Sequence, residues 1–218
     1  MDSEIRIHGS LINNNTSATS NTAIKLSNVA SSVKIWASEV IQDTTEAGGY
    51  VLELINGATL ELHATLKGCI LSYSNGTLDL HGDINVITGI DNPGHSFGGV
   101  FVGNFRGNII SELSTLLNVY ALTAGGEIIV AGDIISTGSG STVSLEVAAG
   151  NVKVKGKVIN LGTGYTIEKD GTGTCEFLGG VTSTGKQAIN IWNSGTFGST
   201  LGGIYSGRFK CAWNNAGG

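Results

Sequence analysis

Three of the four histidines occupy one kind of position. His8, His63 and His81 each precede a Gly or Ala that closes a short alternating apolar pair, as in Leu60-Glu61-Leu62-His63-Ala64 and Leu78-Asp79-Leu80-His81-Gly82. Trp36, Arg106 and Lys155 hold the same position in other segments, and the residue after the small one reads Asp83, Asn108 and Asp133 in three of them. Imidazoles gathered in this way could ligate a metal. Asp83 and Asp133, with Arg106 beside them, could work as general acid and base on a glycosidic bond, or could offer oxygens to calcium. Glu61 and Asp79, each three residues before its small residue, form a further acidic pair. Trp36, Trp192 and Trp213 could serve as platforms for a sugar ring or as subunit contacts.

These residues are scattered in sequence, so their chemistry depends on elements that stack them. The segment Ile128-Ile129-Val130-Ala131-Gly132-Asp133-Ile134 shows what that element is. Its pattern of apolar, any, apolar, any, Gly, any, apolar returns as Ile5–Leu11, Leu78–Ile84 and Val152–Val158, with looser copies at Leu60–Leu66, Phe105–Ile109, Cys175–Val181 and Tyr205–Phe209. Val33–Ala37 matches at its front only. The small residues at 9, 37, 64, 82, 107, 132, 156, 179 and 207 lie 18 to 28 residues apart. A repeat of that length with variable corners is the mark of a solenoid and is too short for the blades of a propeller.

A second alternating pair precedes the first, often before an Asn/Gly turn, as in Leu52-Glu53-Leu54-Ile55-Asn56-Gly57 and Leu145–Gly150. Each rung therefore holds about three short strands. Period-two alternation turns Ile128, Val130 and Ile134 inward and the residues between them outward. Glycine is expected to serve the corners through backbone conformations that other residues avoid. The expectation is an all-β, single-stranded parallel β-helix over residues 1–218, with about eight rungs of roughly 24 residues and a length of about 40 Å.

Bulk composition agrees. The chain has 34 Gly, 1 Pro, 13% charged and 40% hydrophobic residues, which fits neither a disordered chain nor collagen. A net charge of −5 with scattered Lys and Arg argues against a nucleic-acid partner. There is no apolar run long enough for a membrane span, and Met1-Asp2-Ser3-Glu4 does not read as a signal peptide. Cys69, Cys175 and Cys211 are odd in number and match no zinc pattern, so they read as reduced thiols, Cys175 in place of an apolar core residue.

The repeat resembles the right-handed parallel β-helix of the pectate-lyase-like type, found in polysaccharide-degrading enzymes, autotransported adhesins and phage tailspikes or tail fibres. The resemblance implies a rigid scaffold with function added on its faces. The enzymes of that group imply an Asp-Asp pair with a Gly-His-Gly element, or several acids gathered with a basic residue on neighbouring rungs. This chain has Gly94-His95-Ser96, no adjacent Asp-Asp, and only Asp83, Asp133 and Arg106 as an echo of the second arrangement.

Outward acids on a solenoid also serve as solvated edge charges, and stacked imidazoles as surface aromatics. The reading is therefore a non-enzymatic structural or adhesive element, with no cofactor and no metal. It would be a tail fibre, tailspike or baseplate component located in a virion or outside a cell. Its partners would be copies of itself, as a homotrimer, and a surface polysaccharide or neighbouring virion protein. Ligand-binding candidates are Trp36, His63, His81 and Trp192. The rival readings are a polysaccharide lyase or hydrolase using Asp83, Asp133 and Arg106, and a piece of a secreted adhesin. Three stretches break the repeat: a polar loop at 13–21, an excursion at 88–99, and Ser111–Asn118, which has a short helix's spacing but fits better as corner and strand. The final rung has no evident cap, so the chain reads as part of a longer one or as capped by copies of itself.

Overall fold

The computed structural model describes residues 3–14, 22–27, 32–42, 50–68, 70–72, 75–86, 95–111, 117–138, 143–146, 150–164, 166–170, 173–184, 189–191, 204–206 and 209–211. Every secondary-structure element among them is a strand, and the strands form one 15-stranded and one 9-stranded sheet. The path through each sheet steps from one turn of the chain to the next, and the pairing is parallel. The protein is a parallel β-solenoid.

The core follows from the alternation. Leu60, Leu78, Gly103, Ile128, Val152 and Cys175 are in register across six successive strands and face inward. Beside them run Ile35, Leu62, Leu80, Phe105, Val130, Val154 and Phe177, and beyond the corner Val40, Leu66, Ile84, Ile109, Ile134, Val158 and Val181, all buried. Strands buried at every second residue lose apolar surface to the rungs above and below as well as to the facing sheet, at about 25 cal/mol per Å². Where Gly103 leaves an inward gap, Phe101 and Phe105 flank it, and Phe97 stacks on Phe101 at 4.7 Å. Past the corner the inward column turns polar, with buried Ser111, Ser136 and Asn160 in register. Asn160 is satisfied locally, Nδ2 donating to the Gly164 carbonyl and Oδ1 accepting from Gly162 N–H, each at 2.9 Å.

Five successive turns between Ile70 and Ser183 have the expected three separate strands, rather than about eight. Earlier, Ser32–Gln42 and Ala58–Lys67 run through the corner as single strands of 11 and 10 residues. Ala37 and Ala64 stand there in place of glycine. The corner glycines have a different role from the one expected. Gly82, Gly107, Gly132, Gly156 and Gly179 are not among the residues with positive φ. A Cβ on any of them would press into the backbone carbonyl of the corner residue one turn earlier, from Ala64 through Gly156. They are required for close approach of stacked backbones. Positive φ, as expected of corner glycines, occurs at Gly9, at the Asn56-Gly57 turn and at Gly68, Gly99, Gly125 and Gly180.

Two copies are out of phase with their sequence pattern. Register pairs Ile5 with Ile35 and Arg6 with Trp36, then Ser10 with Glu39. His8 therefore lies in the irregular step between these stretches, and Arg6 takes the position expected for it. At the other end, Ile204–Ser206 pairs with Gly180–Ser183 as an after-corner strand, and Phe209–Cys211 joins the 9-stranded sheet. His95–Gly99, expected within an excursion, is a strand of that same sheet, and Leu117–Leu122 pairs with it across a register shift between Phe97 and Gly99. Residues 15–21, 87–94 and 112–116 lie outside the described residues. No helix among the described residues is long and apolar enough to cross a membrane.

Candidate functional site

The outward row just before the corner is continuous. Trp36 pairs with His63, His81 N–H bonds the Leu62 carbonyl, and Arg106 N–H bonds the Leu80 carbonyl, so the four side chains rise from consecutive turns. The rings of Trp36, His63 and His81 stack along the solenoid. The Arg6 guanidinium sits 4.8 Å from the Trp36 ring centre. Trp36 and His63 lie 5.0 Å apart and 9° from parallel, and His63 and His81 lie 4.0 Å apart at 23°. Strand spacing of about 4.8 Å sets this contact distance. Both faces of Trp36 are thereby covered, one by Arg6 and one by His63, and a ligand approaching the row from solvent meets ring edges. That edge-on arrangement replaces the open aromatic platform expected from the sequence.

A second outward row flanks the first, because residues two apart on a strand share a face. It contains Lys34, Glu61 and Asp79. Glu61 Oε1 is 2.8 Å from His63 Nε2 and Glu61 Oε2 is 2.7 Å from Lys34 Nζ. Asp79 accepts two bonds of 2.7 Å from Arg106, through Nε and Nη2, and its Oδ2 is 3.3 Å from His81 Nε2. The Asp79 carboxyl is held below its ordinary range chiefly by the Arg106 hydrogen bonds, with the charges of His81 and Arg106 adding to them against the cost of desolvation. Glu61 is lowered first by its bond to Lys34 and then by that to His63. Exposed ion pairs contribute little to stability. Their effect here is to orient the imidazoles and the guanidinium.

The carboxylates proposed for acid–base work are otherwise engaged. Asp83 Oδ1 accepts the Asn108 N–H at 2.7 Å, Asn108 Oδ1 accepts the Asp133 N–H at 2.9 Å, and Asp133 Oδ1 accepts the Lys157 N–H at 2.7 Å. Each side chain ties the next turn at its corner, where the backbone donor has no place in a strand ladder. Arg106 points its guanidinium to Asp79, on the other side of the corner from Asp83. Trp192 and Trp213 lie outside the described residues, as do Cys69 and the side chain of Cys211. Cys175 is buried in the apolar column, as its sequence position suggests.

Arg6, Lys34 and the Glu61–His63 and Asp79–His81 pairings do not follow from any single column of the sequence. The signal was present as Glu-Leu-His and Asp-Leu-His in adjacent turns, since a strand places both polar residues of such a triplet on one face. No protein-family model matches the chain, and neither a curated protein nor a solved structure is significantly similar to it.

Proposed function

We propose that this protein is a rigid structural or adhesive rod, of the kind used in phage tail fibres, tailspikes or baseplates, that binds a surface glycan along the Arg6–Trp36–His63–His81–Arg106 row. The observation that carries the reading is the row itself: side chains from successive turns, of which Arg6, Trp36, His63 and His81 stack in sequence and Arg6, His63, His81 and Arg106 each pair with a carboxylate. Such a row loses little conformational entropy on binding. A polymer of hydroxyl-bearing units would meet ring N–H groups, guanidinium donors and carboxylate acceptors at regular intervals. A pectate-lyase-like β-helix, packed side by side as a homotrimer with copies of itself or against a neighbouring virion protein, suits that role, and the location would be a virion or the outside of a cell.

The test is binding of the chain to an immobilised panel of neutral and acidic surface polysaccharides. Retention on at least one glycan, lost in Trp36→Ala and Arg106→Ala variants of unchanged circular dichroism, supports the reading. Release of reducing ends or unsaturated sugars, abolished by Asp133→Asn, would replace it with the lyase or hydrolase reading. Sedimentation tests the assembly: a stable monomer at high dilution refutes the trimer.

A further inference from the structure

The sequence places no carboxylate in the histidine column, and on that ground no metal was expected. The fold supplies one from the adjacent column. Glu61, His63 and His81 bring one ligand atom each to within 4.8 Å of one another. We propose that these three side chains bind a divalent transition metal of the zinc class at the middle of the outward row. The adhesive reading needs no metal, and metal binding would rearrange the His63–His81 part of the stacked row on which that reading rests.

Two imidazoles and a carboxylate suit Zn²⁺, Cu²⁺ or Ni²⁺ and are a poor set for Ca²⁺ or Mg²⁺, which take oxygen ligands. Bonds of about 2.0–2.2 Å to N and O donors place tetrahedral ligand atoms about 3.3–3.5 Å apart. Glu61 and His63, at 2.8 Å, must part slightly, and His81 must close toward them. A metal lies in the plane of each imidazole it binds, so one of the two stacked rings must swivel. His63 is half-buried and His81 exposed, both on the solvent face, where turning His63 displaces water and its stacks on Trp36 and His81, and turning His81 displaces water and its stack on His63.

The surroundings favour this site over other histidines. Asp79, gripped at both oxygens by Arg106, stands 3.3 Å from His81 Nε2, so with the metal on His81 Nδ1 it would orient that ring, the role carboxylates play behind metal-bound histidines. Lys34 and the metal compete for Glu61, since its second oxygen already bonds Lys34 Nζ. Three protein ligands leave a coordination position open to water or to an anionic group of a bound ligand. Binding requires unprotonated imidazoles, so affinity rises with pH.

The experiment titrates the full chain, free of any polyhistidine tag and of chelators, with zinc sulfate under calorimetry. In parallel, imidazole resonances are followed by NMR. The expected result is one Zn²⁺ per chain, with the signals of His63 and His81 shifted and that of His8 unmoved. His63→Ala, His81→Ala and Glu61→Gln should each weaken binding at least tenfold, whereas His8→Ala and His95→Ala leave it unchanged. Calcium in place of zinc should give no heat. The NMR arm uses unaltered protein and so decides the matter even where a variant fails to fold. No saturable binding at millimolar zinc, or binding that survives His81→Ala or depends on His8, overturns the proposal.

Discussion

Replacing Asn108 by Ala removes the acceptor for the Asp133 N–H, a 2.9 Å bond between turns at a half-buried corner. A buried donor left without a partner costs about 1–3 kcal/mol. Water reaches a half-buried corner, so the lower part of that range, about 1–1.5 kcal/mol, is expected. Asn108→Asp keeps an acceptor oxygen but sets a third carboxylate between Asp83 and Asp133 on the neighbouring turns, so in high salt, which screens that repulsion, it should cost less than the Ala variant. A urea titration reads the difference as a lowered midpoint with unchanged slope for the Ala variant alone. Stacked turns can open locally, so amide exchange at Asp133 gives a sharper measure, faster by about tenfold for each 1.4 kcal/mol. An Ala variant with an unaltered midpoint and unaltered exchange would refute the structural role of the row. So would an Asp variant as damaged as the Ala one in high salt. Either result would return Asp83, Asn108 and Asp133 to consideration as a chemical site.

Gly132→Ala should destabilise the protein by about 1–3 kcal/mol, the usual range for forced overpacking, because the new methyl group meets the Gly107 backbone, which has no flexible end to move aside. Differential scanning calorimetry checks it, and an unchanged melting temperature would contradict the close-approach argument. For pH, Asp79 and Glu61 have lowered carboxyl pKa values in the folded state. Their contribution to stability is therefore present above the ordinary carboxylate range and is lost as pH falls through the lowered values. Arg106→Met removes the largest cause of the Asp79 shift. Carbon-detected NMR titration should show that carboxyl alone moving back up toward its ordinary value, while Glu61, held chiefly by Lys34, stays low.

Alternation and corner spacing in the sequence were enough for the solenoid, since inward columns such as Leu60–Leu78–Ile128–Val152 need only a period of two and a repeated small residue. They also place Trp36, His63, His81 and Arg106 in one outward row and Cys175 in the core. The ends escaped the pattern: Ile5-Arg6-Ile7-His8-Gly9 fits the repeat in two phases, and only pairing with Ser32–Gln42 selects Arg6 as the neighbour of Trp36. A period-two signal cannot separate registers that differ by two residues, because both bury the same face.

The sequence by itself determined which residues face outward and on which turns they lie, because alternation and repeat length are local properties of the chain. What those residues do to one another was decided by tertiary structure. Glycines marked corners in the sequence, but their need arises from the carbonyl of the preceding turn. Asp83 and Asp133 read as a possible acid–base pair, and the stacked backbone adds a hydrogen-bond donor to one oxygen of each. The histidines read as a column without a carboxylate until Glu61 and Asp79 came alongside them. Distances across turns depend on register and rotamer, which a repeat pattern does not contain, and they separate a row of surface charges from a binding site.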